Sequence, residues 1–425
     1  MSMPHAPAPS RRAPAPVPPE WQTALRCRRR GVSAVQAVRR VFAAMESPAH
    51  PATVAVVMAG AYAGEWWSGE RMDHARLAAA LHESGNWNQG SCRLAAAAAV
   101  SPWKGLHLRS SATDAGLVPP QGCTTESPDL LCSPDGPLSP ALVLARGWRR
   151  RFFHAQPLRP NALQVRAASL NLPAAVRGAT ARVWQAPAAL NQPPGAWRPL
   201  RTLDGALEAP LAGARGGGAI PPDGRAATRS AFAYVPPDDG NASLLAVVST
   251  ELFSALPPEQ PGNWSRQLWL KSNRAAAQRS IGTLWGSVAS LPVHNQDDTA
   301  ETFTFKAFLS RVPLGTRAVL EVVMPDGQEG TAKEKEVKET FSPIRTEPVT
   351  IAPRGAAELR LTLETPGGAP LPPGASIEMR QLWVIGAGHP RHAELSARTP
   401  PPPDDGQAYA VEVYLGSYTF VGPDQ

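Results

Sequence analysis

Residues 357–363 have the sequence Ala-Glu-Leu-Arg-Leu-Thr-Leu, in which apolar and polar side chains alternate without interruption. Residues 301–308, Glu-Thr-Phe-Thr-Phe-Lys-Ala-Phe, alternate for most of their length. A period of two residues places every second side chain on one face of a β-strand, which is typical of a sheet with one buried and one solvated face. These two segments therefore predict strands and indicate a β fold for the C-terminal part of the chain.

Further short segments of this kind lie on both sides, separated by clusters of proline, glycine and aspartate. They are residues 163–166, 169–171, 180–184, 197–200, 231–235, 243–249, 267–270, 281–285, 317–323, 349–351, 377–384 and 408–414. Proline has no N–H for a strand ladder and is tolerated at strand ends and edges, so a chain with 47 prolines and 35 glycines among 425 residues suits short strands with many turns. Several short strands with frequent turns predict β-sandwiches.

The predicted fold class is mainly β, with two tandem immunoglobulin-like β-sandwiches at residues 156–290 and 291–425. A smaller mixed α/β region at 21–155 precedes them, and residues 1–20 form a disordered tail because alternating Ala-Pro favours extended polyproline conformations. Within the mixed region we expect one helix over 21–46, where valines recur at helical spacing. The apolar run 54–64 is expected to be a buried strand and turn.

Residues 160–285 resemble an immunoglobulin-like accessory domain of the kind attached to secreted or surface bacterial proteins. The resemblance rests on the order of elements: an opening strand at 163–171, the strand 181–184, an aromatic strand at 232–235, and a closing segment at 272–281 that contains asparagine and glutamine. It implies a scaffold or a binding module, and none of its motifs is catalytic.

The positive charge is concentrated at the N-terminus. Residues 1–46 carry eight arginines and two glutamates, which is most of the net charge of +7. The arginine-rich residues 11–40 could attract an anionic surface. Nucleic acid is an unlikely partner, since the first forty residues hold a single aromatic side chain for base stacking, Trp21. The sequence predicts no transmembrane segment and no recognisable signal peptide.

A second interpretation places a hydrolase site in residues 50–155. The stretch Asn-Gln-Gly-Ser-Cys at 88–92 is similar to the oxyanion-hole glutamine stretch of papain-like cysteine proteases. The resemblance implies Gln89 as an oxyanion donor and Cys92 as a nucleophile, with His107 or His154 as its base. Arg93 follows Cys92 where that family has an aromatic residue, so the motif is incomplete.

The favoured function is a non-enzymatic structural or binding accessory protein of a bacterial surface or secreted assembly, with a protein or glycan ligand. Trp264 is the candidate ligand-binding residue, as an exposed aromatic platform. No cofactor and no metal site is predicted, because the four cysteines form no CxxC pair. Cys123 and Cys132 could close a short disulfide loop in an oxidising compartment, and free thiols are the alternative.

Overall fold

A computed structural model describes residues 19–44, 51–62, 67–68, 71–72, 74–85, 87–100, 105–112, 114, 124–145, 153–170, 175–214, 216–221, 224–251, 255–259, 261–325, 329–392 and 410–423. Of the tail predicted at 1–20, all but the last two residues lie outside these ranges. None of the helices in the described ranges has the length and hydrophobicity that a membrane crossing requires.

Five of the seven helices in the described residues lie before residue 101. The seven are α1 (Pro19–Arg29), α2 (Ala34–Ala43), α3 (Pro51–Ala61), α4 (His74–Gly85), α5 (Gln89–Val100), α6 (Pro140–Ala145) and α7 (Ser265–Ser272).

The strands dominate the rest of the chain, as the sequence predicts for a mainly β protein. They are β1 (Trp67–Ser68), β2 (Arg71–Met72), β3 (Gly105–His107), β4 (Leu130–Ser133), β5 (Asn161–Leu170), β6 (Thr180–Pro187), β7 (Arg198–Pro199), β8 (Ala209–Gly213), β9 (Arg225–Thr228), β10 (Phe232–Tyr234), β11 (Ala242–Ser249), β12 (Ala276–Thr283), β13 (Val288–His294), β14 (Glu301–Ser310), β15 (Arg317–Val323), β16 (Glu329–Glu336), β17 (Phe341–Arg345), β18 (Val349–Ile351), β19 (Ala356–Glu364), β20 (Ser376–Ile385) and β21 (Val411–Val421).

The first β unit is a ring of hydrogen-bonded strands. Its ladder runs in the order β5-β9-β8-β6-β11-β12. Residues 125–127 then pair with β12, where Ser127 N donates to Gln278 O at 3.0 Å and Ser280 N donates to Thr125 O at 2.8 Å. The chain continues into β4, which pairs with β5 and closes the ring. Alternate side chains of these strands point inward and form one buried core.

The C-terminal unit has two sheets that share a core. One sheet has the order β13-β19-β15-β16, and the other includes β21-β20-β14-β17. Along β19 every second residue is buried, as the alternation at 357–363 predicts. Buried side chains of both sheets belong to the same hydrophobic cluster, among them Leu359 and Phe305. The parallel pairing of β12 with β21 joins this unit to the first one.

The helices α1 to α5 form a layer on the outside of the ring. Their apolar faces and the outward side chains Leu245 and Val247 of β11 make a third hydrophobic core. Alternation explains this arrangement, because Leu244 and Ala246 on the same strand point into the ring. Both faces of β11 are therefore buried.

Three expectations about local structure were wrong. Of the run predicted as a strand at 54–64, residues 54–61 lie in α3, because an apolar run without alternation suits a buried helix equally well, and residues 63–64 lie outside the described residues. The single helix predicted at 21–46 is two helices, separated where Gly31 adopts a φ of +68° and Ser33 caps α2 by accepting from Gln36 N. The strand predicted at 267–270 is part of α7.

Candidate functional site

A cavity of about 400 Å³ lies against the outer face of β6. The side chains of Ala181 and Val183 on this strand point into the ring core, so Arg182 and Trp184 point outward to line the cavity. Other parts of the chain contribute as well: the segment before β7, residues 256–259, the first turn of α7, Leu245 and Gln296. The polar and aromatic lining residues are Arg182, Trp184, Gln192, Trp197, Glu259, Ser265, Arg266 and Gln296.

The two tryptophans are held from behind by packing. Trp184 lies opposite Leu245 of β11 and opposite Pro199 of β7. Trp197 follows the turn at Pro193-Pro194-Gly195, whose fixed φ angles and tight bend bring the chain back to β6. Both indoles are half-buried and pack against the helical core. They are therefore fixed aromatic walls of the cavity.

Arg266 is the buried cation of the site. The residue is 8% exposed, and its Nη1 donates to the backbone oxygen of Gln192 at 2.6 Å. Its guanidinium carbon lies 5.2 Å from the centroid of the Trp197 ring, within the range of a cation–π interaction. Burial lowers the pKa of Arg266 to about 10, so the side chain stays charged at neutral pH. Burial and the charge of Arg266 also lower the pKa of His294.

Three buried polar atoms around the cavity have no hydrogen-bond partner among the described residues. They are Arg266 Nε, Trp197 Nε1 and Gln192 Oε1. A buried donor or acceptor left without a partner costs about 1–3 kcal/mol, and most such groups in folded proteins are paired. Two donors and one acceptor that belong to residues lining one cavity thus lack a partner among the described residues.

A network of amide side chains holds this wall in place. Gln296 Nε2 donates to the backbone oxygens of Asn191 and Gln192 at 2.9 and 3.0 Å. Asn263 Nδ2 donates to Asn295 Oδ1 at 3.1 Å and to Asp297 Oδ2 at 2.9 Å, and Asn263 Oδ1 accepts from Asn191 and Gln296. These bonds connect residues 191–192 to the start of the C-terminal unit and fix the position of Gln192.

The structure places the residues of the hydrolase interpretation in different surroundings. Gln89 is exposed at the start of α5, whereas Cys92 is fully buried in the helical core. Burial raises the pKa of the Cys92 thiol, which is the opposite of nucleophile activation. His107 is buried on β3, with its Nε2 3.4 Å from Asp114 Oδ2. In the described part of the chain no hydrogen bond joins Cys92 to His107.

Trp264 is not the exposed platform that the sequence suggests. It is 3% exposed and belongs to the core of the C-terminal unit, where the guanidinium of Arg391 lies 6.0 Å from its ring centroid. It immediately precedes α7, and Arg266, two residues later, lines the cavity instead.

The other expectations about binding concern thiols, metals and charge. Cys132 has a free thiol, and Cys123 lies outside the described residues. Within the described ranges no group of three acidic, histidine or cysteine side chains could hold a metal ion. Arg26, Arg39 and Arg40 are exposed, and an anionic surface as their partner stays a prediction.

Comparisons with known proteins leave the chain without a family. No family model and no curated protein matches it. Among solved structures, dimeric latent PorU from Porphyromonas gingivalis is 10% identical over 63% of this chain, with a TM-score of 0.15, and the match spans only 18% of that protein. CfaE, the adhesive subunit of CFA/I fimbria of enterotoxigenic Escherichia coli, is 9% identical, with 75% of this chain and 92% of that one covered and a TM-score of 0.16.

Proposed function

We propose that this chain is a non-enzymatic binding accessory protein of a bacterial surface or secreted assembly, built on immunoglobulin-like β-sandwich domains. Its ligand, a glycan or a protein, binds in the cavity between Trp184, Trp197 and Arg266. The observation that supports the proposal most strongly is the cavity wall itself, where a buried cation, two fixed indoles and unpartnered polar atoms come together. Ligand sites commonly combine aromatic walls with a few polar groups in this way.

The chemistry of the lining favours binding over catalysis. Among the described lining residues there is no histidine or cysteine, and the carboxylate of Glu259 belongs to an exposed residue. General acid–base catalysis needs a group with a pKa near the working pH, and nucleophilic catalysis needs an activated nucleophile. The hydrolase alternative would rest on Gln89, Cys92 and His107, of which Cys92 lies in the helical core.

The experiment is a binding screen of the full chain against an immobilised panel of defined glycans and short peptides. Trp184→Ala removes one wall of the cavity, and Trp285→Ala is a matched control because Trp285 is 68% exposed and lies outside the lining. We expect Trp184→Ala to weaken binding to the recognised member about tenfold or more, and Trp285→Ala to leave it unchanged. Binding to no member, or equal loss in both variants, would contradict the proposal.

A further inference from the structure

The first turn of α7 presents the positive end of a helix to the cavity. Ser265 and Arg266, the first two residues of α7, both line it. The N-cap position, Trp264, makes no side-chain capping bond, and the first turn carries no acidic residue. Backbone N–H groups and the helix dipole at such an end attract negative charge. This end of α7 therefore adds to the positive potential of Arg266.

Three other buried arginines in the described ranges are paired with carboxylates. Arg109 and Arg166 share Asp129, and Arg274 pairs with Asp114, with the side chains of all five nearly inaccessible. Such pairing is the general rule for buried charges, because an unpaired charge is costly to remove from water.

Arg266 departs from that rule. Its neighbours in the described structure are the Gln192 carbonyl and the Trp197 ring, and no described carboxylate pairs with it. A guanidinium forms its strongest hydrogen bonds with carboxylate or phosphate oxygens. The site therefore lacks an anionic group that the described part of the chain does not supply.

The rest of the wall indicates what carries that anionic group. Trp184 and Trp197 offer flat apolar faces, while the donor Trp197 Nε1 and the acceptor Gln192 Oε1 have no partner among the described residues. A sugar ring has one apolar C–H face and hydroxyls that both donate and accept, so it matches an aromatic wall edged by one donor and one acceptor. An extended peptide would use backbone groups along a sheet edge, which this cavity does not provide.

We infer that the cavity takes an acidic sugar residue of the uronate type, with its carboxylate on Arg266 and the first turn of α7 and its ring against the indoles. This inference rests on the proposed binding function and narrows it to one ligand class. The cavity of about 400 Å³ is at the small end of ligand sites, which suits one or two sugar rings of a longer chain.

The test is isothermal titration calorimetry on the full chain with a galacturonate trisaccharide, the matching neutral galactose trisaccharide and a short glutamate-containing peptide. The variant Arg266→Met removes the charge, and Arg317→Met is the control, because Arg317 is half-exposed, already paired with Glu334 and Glu364, and outside the cavity lining. We expect the acidic trisaccharide to bind at least about tenfold more tightly than the neutral one. Arg266→Met should weaken acidic binding about 30-fold and neutral binding little, and Arg317→Met should change neither by more than about threefold.

The outcomes separate this inference from the proposed function. Equal affinity for both sugars, or Arg266-dependent binding of the peptide alone, overturns the acidic-sugar inference and leaves a binding cavity. No binding of any of the three probes, with wild type and Arg266→Met both folded by circular dichroism, also overturns the inference. If the immobilised panel gives no binder either, the proposed function fails as well.

Discussion

The guanidinium of Arg266 lies 5.2 Å from the ring centroid of Trp197, and the two side chains form one wall of a cavity outside the ring of strands. Both carry a buried nitrogen with no described partner. A buried charge that is held against an aromatic face, without a described carboxylate partner, recovers little of the free energy that its removal from water costs. It is well placed for a ligand.

Replacing Arg266 by methionine should not destabilise the protein. The Gln192 carbonyl would keep its bond from Gln296 Nε2 at 3.0 Å, and the variant removes a buried charge that has no carboxylate partner. We expect the free energy of unfolding in urea to equal that of the wild type or to rise by about 1 kcal/mol. A loss of more than about 2 kcal/mol would mean that Arg266 is structural.

Substitution of Asn263 should destabilise the protein far more than the polarity of its side chain suggests. Its side chain makes four hydrogen bonds that connect Asn191 with residues 295–297. In Asn263→Ala, each of the four partner atoms loses one hydrogen bond. We expect urea unfolding to show a loss of about 3 kcal/mol, against less than about 0.5 kcal/mol for the surface control Thr302→Ala. Equal effects of the two substitutions would show that the amide network contributes nothing.

Asp114 should make stability depend on acid pH. Burial raises the pKa of its carboxyl, but the hydrogen bond from His107 and the charges of Arg274 and His107 outweigh burial and hold the pKa well below the ordinary 3.8. A carboxyl with a depressed folded pKa contributes stability above its unfolded pKa and loses that contribution as the pH falls below about 4.

The comparison of wild type with Asp114→Asn isolates this contribution. We expect the variant to be less stable by about 3 kcal/mol at pH 7, because Arg274 loses its buried partner. The difference should shrink steadily as urea unfolding is repeated from pH 4 down to pH 3. A difference that stays constant over that interval would contradict the assigned pKa direction.

Burial predicts effects of unequal size for two phenylalanines of the C-terminal unit, Phe305 on β14 and Phe341 on β17. Phe305 is fully buried in the shared core, whereas Phe341 on β17 is 53% exposed and stacks on Phe308. Phe305→Ala should cost about 3–5 kcal/mol and Phe341→Ala less than about 1 kcal/mol in urea unfolding. Similar costs would refute the placement of these strands.

Cys92 should behave as an inert thiol. It is fully buried in the helical core, and burial raises its pKa. We expect iodoacetamide to leave Cys92 unmodified in the native protein at pH 8 and to label it fully in urea, as read by peptide mass mapping. Rapid native labelling, or a peptidase activity that Cys92→Ala abolishes, would favour the hydrolase interpretation.

Local patterning predicts the strands well, because their cause is local. Alternation at 301–308 and 357–363 reflects one buried and one solvated face, and β14 and β19 lie there. The apolar run in α3 is buried, so it has no polar face from which its helical period could be recognised in the sequence. The short segment 267–270 has too few residues to separate a helical from a strand period.

The cavity could not be predicted from the sequence. Trp184, Trp197 and Arg266 lie in three segments that only the strand pairing and the amide network bring together. Two tryptophans flanking a Pro-Pro-Gly turn at 193–195 are the one sequence signal, and they equally suit a strand core. The sequence favours Trp264 because it is aromatic, whereas Trp264 is buried and the arginine two positions later lines the cavity.

The most direct measurement is the crystal structure of the protein soaked with the galacturonate trisaccharide. The account predicts a sugar ring against Trp184 or Trp197, with its carboxylate within about 3 Å of Arg266. A sugar bound elsewhere on the protein, or an empty cavity at saturating trisaccharide, would contradict it.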